Sequence, residues 1–461
     1  MPPRPRRAPF LFPTLPSTWY IGHMSRALKE MQLMIQKQKV DLVIEARDAR
    51  MPLTSINPAF EHLLNIPGAS AFAKRLIIYN KADLAQPEFH EPIIKALLKQ
   101  TGHTVLFTDS RSDASIKHLM RAAIKLADRP LEGPEDRISM LIAGMPNTGK
   151  SSILNALRRV GVGKGEAALP KISAVAPSSL TRIVLLSNSS GKAASVSSAP
   201  GHTRRLSTFI KISLNPPVYI HDTPGIMVPF FGKGTKGDEM ALKLALTGGI
   251  KESLFESETI GDYLVWRLKA RCEEEVGGYT KDDLMKALHL PLTTTLDSST
   301  DFLIALADRL KAVRKGGEPD LEFAGRWLLL AFREGKLGRW TLDGLGRGGE
   351  AVDLVKEAEI AAAAEATGGS GLTPAVKGEE GDIPKAEEPI QAMIDRVIAQ
   401  HLASIKAMDL SGHQEKKQLK ADQAKLRLVK REALQIVQPK ASVGPRGAGI
   451  QSSRRRKYRR H

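Results

Sequence analysis

Cysteine is nearly absent. Cys272 is the one thiol in 461 residues, so an intramolecular disulfide is excluded, as is a zinc knuckle, which needs two to four thiolates. Long apolar runs are missing as well: no stretch reaches the roughly 18 residues of a membrane-crossing helix. Aromatic residues supply only 5% of the chain, and residues 1–29 contain no acid, Glu30 being the first. What the chain does have is positive charge, with Lys plus Arg at 68 against Asp plus Glu at 50 and a formal charge of +18. Such an excess favours a polyanionic partner without choosing among RNA, DNA and anionic lipid. Hydrophobic residues at 42% suffice for sizeable cores, and the length corresponds to about three domains of ~150 residues. A soluble, multidomain protein of a reducing compartment is expected.

The acid-free start carries Arg4, Arg6, Arg7 and Arg26, a composition shared by organelle transit segments and plain basic arms. Pro2, Pro3, Pro5, Pro9, Pro13 and Pro16 oppose a long amphipathic helix there. Helical spacing runs from Ser25 to Lys39, and four short apolar runs then read as buried strands: Val40–Ala46, Arg75–Tyr79, Thr104–Phe107 and Arg137–Ala143. Helical patterns over Glu88–Thr101 and Ser115–Asp128 separate them, and Val218–His221 is a further strand. Strands alternating with helices predict an α/β domain with a mostly parallel sheet and helices on both faces. Residues 161–198, rich in Ala, Ser and Gly, read as an inserted, partly disordered loop. Helical patterning over 237–343 predicts a small all-α domain with Trp266, Phe302, Phe323, Trp327 and Trp340 in its core. The expected division is therefore a basic arm or transit segment 1–18, an α/β domain 19–236, the all-α domain 237–343, a linker 344–386 and a basic helical extension and tail 387–461.

Gly144-Met-Pro-Asn-Thr-Gly149-Lys150-Ser151 is a complete G-x-x-x-x-G-K-S, set between a strand and a helix. Its glycines let successive amides converge on a β-phosphate at a helix N-terminus. Asn147, Thr148, Gly149, Lys150, Ser151 and Ser152 form the candidate phosphate-binding run, Lys150 as a charge for the β- and γ-phosphates and Ser151 as a hydroxyl for Mg²⁺. Asn80-Lys81-Ala82-Asp83 ends the Arg75–Tyr79 strand. The Asp83 carboxylate suits the N1–H and exocyclic amine of guanine; adenine offers neither donor and would leave it unpaired, at about 1–3 kcal/mol or more. Asn80 can reach N7 and O6 and tie neighbouring loops, and the Lys81 stem can lie over the base. Asp222-Thr-Pro-Gly225 follows a strand; Asp222 would hold Mg²⁺ through water and the Gly225 amide would sense the γ-phosphate. The order is unusual. Base-reading Asn80–Asp83 comes before the phosphate loop instead of last, which a circularly permuted sheet accommodates.

These segments resemble the circularly permuted GTPases of bacterial large-subunit ribosome assembly, the YlqF/RbgA-like family, and within it the mitochondrial ribosome-associated branch. The resemblance runs from about Trp19 to Asp343. It includes Trp19–Met24 (WYIGHM), Asp48–Pro52 (DARMP), Pro200–Arg204 (PGHTR) and Leu244–Ser253 (LALTGGIKES) besides the motifs above. It implies a circularly permuted P-loop GTPase domain and GTP hydrolysis, with GTP and Mg²⁺ bound, coupled to maturation of the mitochondrial large ribosomal subunit and its rRNA. It also implies a mitochondrial location, matrix or peripheral on the inner membrane, with no DNA partner. Thr203 falls on the switch threonine that ligates Mg²⁺, and Thr108-Asp109-Ser110 on the loop that supports guanine O6. Asn147 falls on the asparagine that helps hold K⁺ in cation-dependent relatives, an ion able to neutralise transition-state charge.

The residue after Asp222–Gly225 is Ile226, whose butyl side chain cannot orient water, so hydrolysis by the isolated chain is expected to be slow. The family's proposed substitute is a histidine in G-H-M, which corresponds to His23. Two rival readings remain, a GTP-gated RNA-binding module with negligible hydrolysis and a nucleolar or cytosolic permuted GTPase. Basic residues over Gln414–Lys430 and Arg454–Arg460 suit phosphate contacts that position without reading sequence.

Overall fold

The structure, a computed structural model, describes Phe10, Leu28, Gly133 and residues 30–35, 40–60, 74–130, 136–162, 209–227, 235–255, 257–274, 279–345 and 389–405. The chain divides into Met1–Ile405 and Lys406–His461, and the second unit lies outside the described residues, as do His23, Thr203 and the arginine tail.

Among the described residues six strands form one sheet: β1 (Leu42–Asp48), β2 (Lys74–Asn80), β3 (Thr104–Thr108), β4 (Ile138–Gly144), β5 (Ile210–Ser213) and β6 (Val218–Asp222), in the order β3-β2-β1-β4-β6-β5. All neighbours are parallel except the β5–β6 pair. Sequence patterning anticipates the five parallel strands; β5 is a four-residue antiparallel edge strand too short to register as a periodic run. The parallel strands are buried on both faces, which suits their near-continuous Val/Ile/Leu content. Even β1, LVIEARD, is wholly buried, its charges cancelled internally. Glu45 accepts from Arg47 Nε at 2.6 Å and Arg75 Nε at 2.8 Å. Burial alone would raise the Glu45 carboxyl; the two arginines reverse this and hold it at about 2.

Alternation along each strand sorts side chains to two faces. Leu42, Ile44, Leu76, Ile78, Met140 and Ile142 pack on one side with α2 (Asp113–Ala127) and α3 (Lys150–Val162). Ile77, Tyr79 and Val105 face the other way, onto α1 (His90–Thr101) and the helix over 390–405. That late helix presents Ile394 and Ile398, both fully buried, to the sheet face. It is fastened by Lys99 to Asp395 at 3.0 Å and by His401 Nε2 to the Leu53 carbonyl at 3.1 Å. The α3 helix continues two residues into the segment expected to be insertion, because Gly161 packs directly on the Ile212 backbone with no room for a β-carbon; the rest of 161–198 lies outside the described residues.

Helices α4 (Thr235–Leu246), α5 (Ser257–Glu274), α6 (Lys281–Leu288), α7 (Ser299–Leu310) and α8 (Leu321–Arg333) build a separate apolar cluster around Tyr263, Phe302, Leu328, Phe332 and Trp340. Trp266 and Trp327 pack half-buried against it. Phe323 corrects the sequence expectation: it is 52% exposed, because the inward stripe of α8 runs through Ala324, Leu328 and Phe332, one position around the helix. Cys272 packs at the cluster's edge, and burial pushes its thiol up to about 11, which keeps it an unreactive thiol. Among the described residues no helix is long and apolar enough to cross a membrane.

Candidate nucleotide-binding site

Strand register alone gathers the motifs. Asp48 aligns with Asn80, Asn80 with Thr108, Ala46 with Gly144 and Ile142 with Asp222, so all parallel strands deliver their predicted residues at one carboxyl edge. That is where open α/β sheets bind ligands, at the point where strand order reverses, here between β1 and β4. Permuted sequence order has thus become contiguous space.

Side chains tie the two halves together. The Asn80 amide, 1% exposed, donates to the Thr148 carbonyl at 2.9 Å. Gly149 lies at φ 88°, and a β-carbon on it would stand 2.2 Å from Asn80 Nδ2, so only glycine fits that position. Lys81 and Asn147 both hold left-handed backbone conformations, uncommon for non-glycine residues. They meet, with Lys81 Nζ donating to the Asn147 carbonyl at 2.6 Å and to Asp48 Oδ2 at 2.8 Å. Burial pushes the Lys81 ammonium down to about 8 against the pull of Asp48. Asp48 in turn grips Arg50 through both oxygens at 3.0 and 2.8 Å. Burial would raise its carboxyl, but Arg50 and Lys81 outweigh that and keep it ionised.

The phosphate end is equally closed. Lys150, 7% exposed, donates to the Met145 and Gly144 carbonyls at 2.8 and 3.2 Å, and its burial lowers it to about 8 despite Asp222 nearby. Thr148 Oγ1 donates to the Met145 carbonyl at 3.0 Å, and Ser151 and Ser152 begin α3 half-buried. Gly225 abuts Pro146 of the loop, where a β-carbon would come within 2.8 Å of backbone. The Asn147 amide donates to the Gly248 carbonyl at 2.5 Å, joining the loop to the turn after α4. At the base end Thr108 is buried at the tip of β3, the Asp109 amide donates to Ser115 Oγ at 3.0 Å, Ser110 is half-buried, and Asp83 pairs with Arg111.

No family model matches the chain. Among curated proteins it is 31% identical over 341 residues to "Mitochondrial ribosome-associated GTPase 1" of Mus musculus, across 70% of this chain and 89% of that protein. It is 32% identical over 350 residues to "Mitochondrial GTPase 1" of Schizosaccharomyces pombe, across 71% and 90%. The chain belongs to the mitochondrial ribosome-associated GTPase 1 family. It is a circularly permuted GTPase. GNP-bound YlqF from T. maritima aligns at a TM-score of 0.40 and 22% identity, over 69% of this chain and 97% of that one, a looser likeness on which nothing further rests.

For a mitochondrial ribosome-associated GTPase 1 family member the Mg²⁺ requirement can be tested on the donor set. Ser151 Oγ donates to Asp222 Oδ2 at 3.3 Å, and burial raises the Asp222 carboxyl, a desolvated anion that a cation would relieve. Among the described residues no cluster of three His, Cys, Asp or Glu exists. One hydroxyl and one carboxylate suit Mg²⁺, which keeps waters and substrate phosphates as its other ligands. Ile226 is fully buried against Met31, Ile35, Phe60 and Leu141. The residue after Gly225 is therefore a core side chain, and no water-orienting role is open to it. Sequence reasoning missed Asp48 as the anchor of Lys81; its signal is the acid at the end of a buried strand within the DARMP segment.

Proposed function

We propose that this GTPase works on the mitochondrial large ribosomal subunit, binding it and its rRNA and leaving or switching when GTP is hydrolysed. The observation that supports the nucleotide reading most is the bond from Asn80 to the Thr148 carbonyl, which joins two motifs distant in sequence. Ribosome association is supported by the name of the mouse relative, a mitochondrial location by both relatives' names, and the polyanionic partner by the charge of +18. Asp83 reads guanine with Asn80 and the Thr108–Ser110 loop in support, and the Lys81 stem backs the base. Lys150 and the amides of residues 147–152 hold phosphates, and Ser151, Thr203 and Asp222 hold Mg²⁺. Mg²⁺ supplies charge neutralisation at the phosphates when bound.

Turnover by the isolated chain is slow because Ile226 is buried, and His23 takes the water-orienting role once the ribosome orders its segment. Asn147 is the candidate K⁺ ligand. The chain's working division is the one its patterning gives, a permuted GTPase domain 19–236 and an all-α domain 237–343, with the basic tail on RNA. GTP turnover titrated with mitochondrial large subunits, in K⁺ and in Na⁺, tests the reading. The rate should climb with subunits and more so in K⁺, whereas an unchanged, uncatalysed rate in every arm refutes it. His23→Ala should keep nucleotide affinity and lose the stimulated rate.

A further inference from the structure

The residue after Thr108-Asp109-Ser110 is an arginine, and its side chain leaves the β3–α2 loop to pair with Asp83, the carboxylate proposed to read guanine. The backbone beneath it is fixed. Asp109 Oδ1 accepts the Arg111 amide at 2.8 Å, the Asp109 amide donates to Ser115 Oγ at 3.0 Å, and Ser112 caps α2. The guanidinium itself stands largely in solvent: the Arg111 side chain is 69% exposed, and its other acidic neighbour is Asp109 at 3.6 Å.

Chemistry makes this contact more than a surface ion pair. The edge of guanine that a carboxylate reads, ring N1–H beside the C2 amine, is a cyclic guanidine fragment with two parallel donors. An arginine offers the same two-donor fork. Arg111 and the base therefore compete for one set of lone pairs on Asp83. We infer that Arg111 is an internal stand-in for guanine, a residue that occupies the base-reading carboxylate in exchange with the nucleotide and so sets its affinity and release. The inference rests on the proposed role of Asp83. Its magnitude follows from exposure: a pair with one partner largely in solvent is worth a few-fold in affinity and weakens with salt. The same displacement supplies a route for release, since the arginine can take Asp83 as the base departs.

The test is a double-mutant cycle on the full-length chain, read by GDP and XDP binding and by GDP dissociation kinetics. Arg111→Ala should tighten GDP by about two- to fivefold and slow its dissociation, and the gain should shrink as salt rises. In an Asp83→Asn background, where XDP becomes the better ligand, Arg111→Ala should change neither nucleotide's affinity. Thermal unfolding of Arg111→Ala should match the parent, because the side chain is largely exposed. If Arg111→Ala leaves GDP affinity and release unchanged while Asp83→Asn still switches base preference, the stand-in role fails and the guanine reading survives. If Asp83→Asn does not switch preference, the guanine reading itself fails, and this inference with it. An effect of Arg111→Ala that persists undiminished in the Asp83→Asn background would overturn it too, by showing that Arg111 acts elsewhere.

Discussion

The two ends of the nucleotide site are built differently. At the phosphate end Thr148, Lys150 and Asp222 are all buried, and each makes a hydrogen bond to neighbouring backbone or to another site residue. At the proposed base end Asp83 pairs with Arg111, whose side chain is 69% exposed. Phosphate binding is thus an extension of the folded core, so errors there cost stability as well as affinity. The Asp83 contact is a surface one, so an error there should cost affinity alone. The contrast suits a switch that must always hold phosphates in one geometry and yet let the nucleotide go.

The comparison breaks if a change at the phosphate end leaves folding intact. Gly149→Ala forces a β-carbon onto Asn80 at a positive φ. It should cost about 1–3 kcal/mol of stability and abolish nucleotide binding, as followed by thermal unfolding with and without GDP. Lys150→Ala comes next, with GTP affinity lowered about 100-fold by loss of a charge-assisted phosphate contact, measured by titration calorimetry. Asp83→Asn should weaken GTP about tenfold or more and favour XTP, with an unfolding temperature equal to the parent's; a large drop in that temperature would erase the distinction between the two ends.

A smaller effect should appear with pH. Burial holds Lys150 at about 8 against an ordinary 10.5, so above about pH 8 the free protein carries it neutral, and triphosphate must draw a proton in. Affinity should fall up to about tenfold from pH 8 to pH 9, with proton uptake visible as a binding enthalpy that changes with buffer. The same shift has the opposite sign for folding: the unfolded lysine binds its proton more tightly, so the free chain gains stability as pH rises from about 8 to 10.5.

Much of this was legible in the chain. The five parallel strands, the phosphate loop and the Asn80–Asp83 turn are set by local patterns whose physics is local: apolar runs, a glycine-rich bend, a polar strand end. Motif order implies their meeting, and strand register supplies the reason, since Asp48, Asn80 and Thr108 stand side by side. What the pattern could not carry was long-range pairing. Nothing near Asp48 in sequence announces Lys81, nothing near Asn147 announces Gly248, and the late helix shows an apolar stripe without saying which surface it will cover. Phe323 departs from the expectation because amphipathic spacing locates a helix face to within about one residue, and one residue turns a side chain from core to solvent. Ile226 has a side chain with nothing to offer water; its burial adds the positive reason, a place in the core that it fills.

One consequence lies in the phosphate loop's neighbours Pro146 and Asn147. Gly225 rests against the first, and the chain then runs through residues 226–234 and α4 to Gly248, whose carbonyl is held by the second. The polypeptide closes a hoop that starts and finishes on adjacent residues. Both ends of that stretch are therefore seated on one bend of the phosphate loop, and α4, the first member of the helical cluster, lies within it. The rearranged chain order thereby sets the phosphate loop directly against the start of the helical cluster, at the Asn147–Gly248 hydrogen bond.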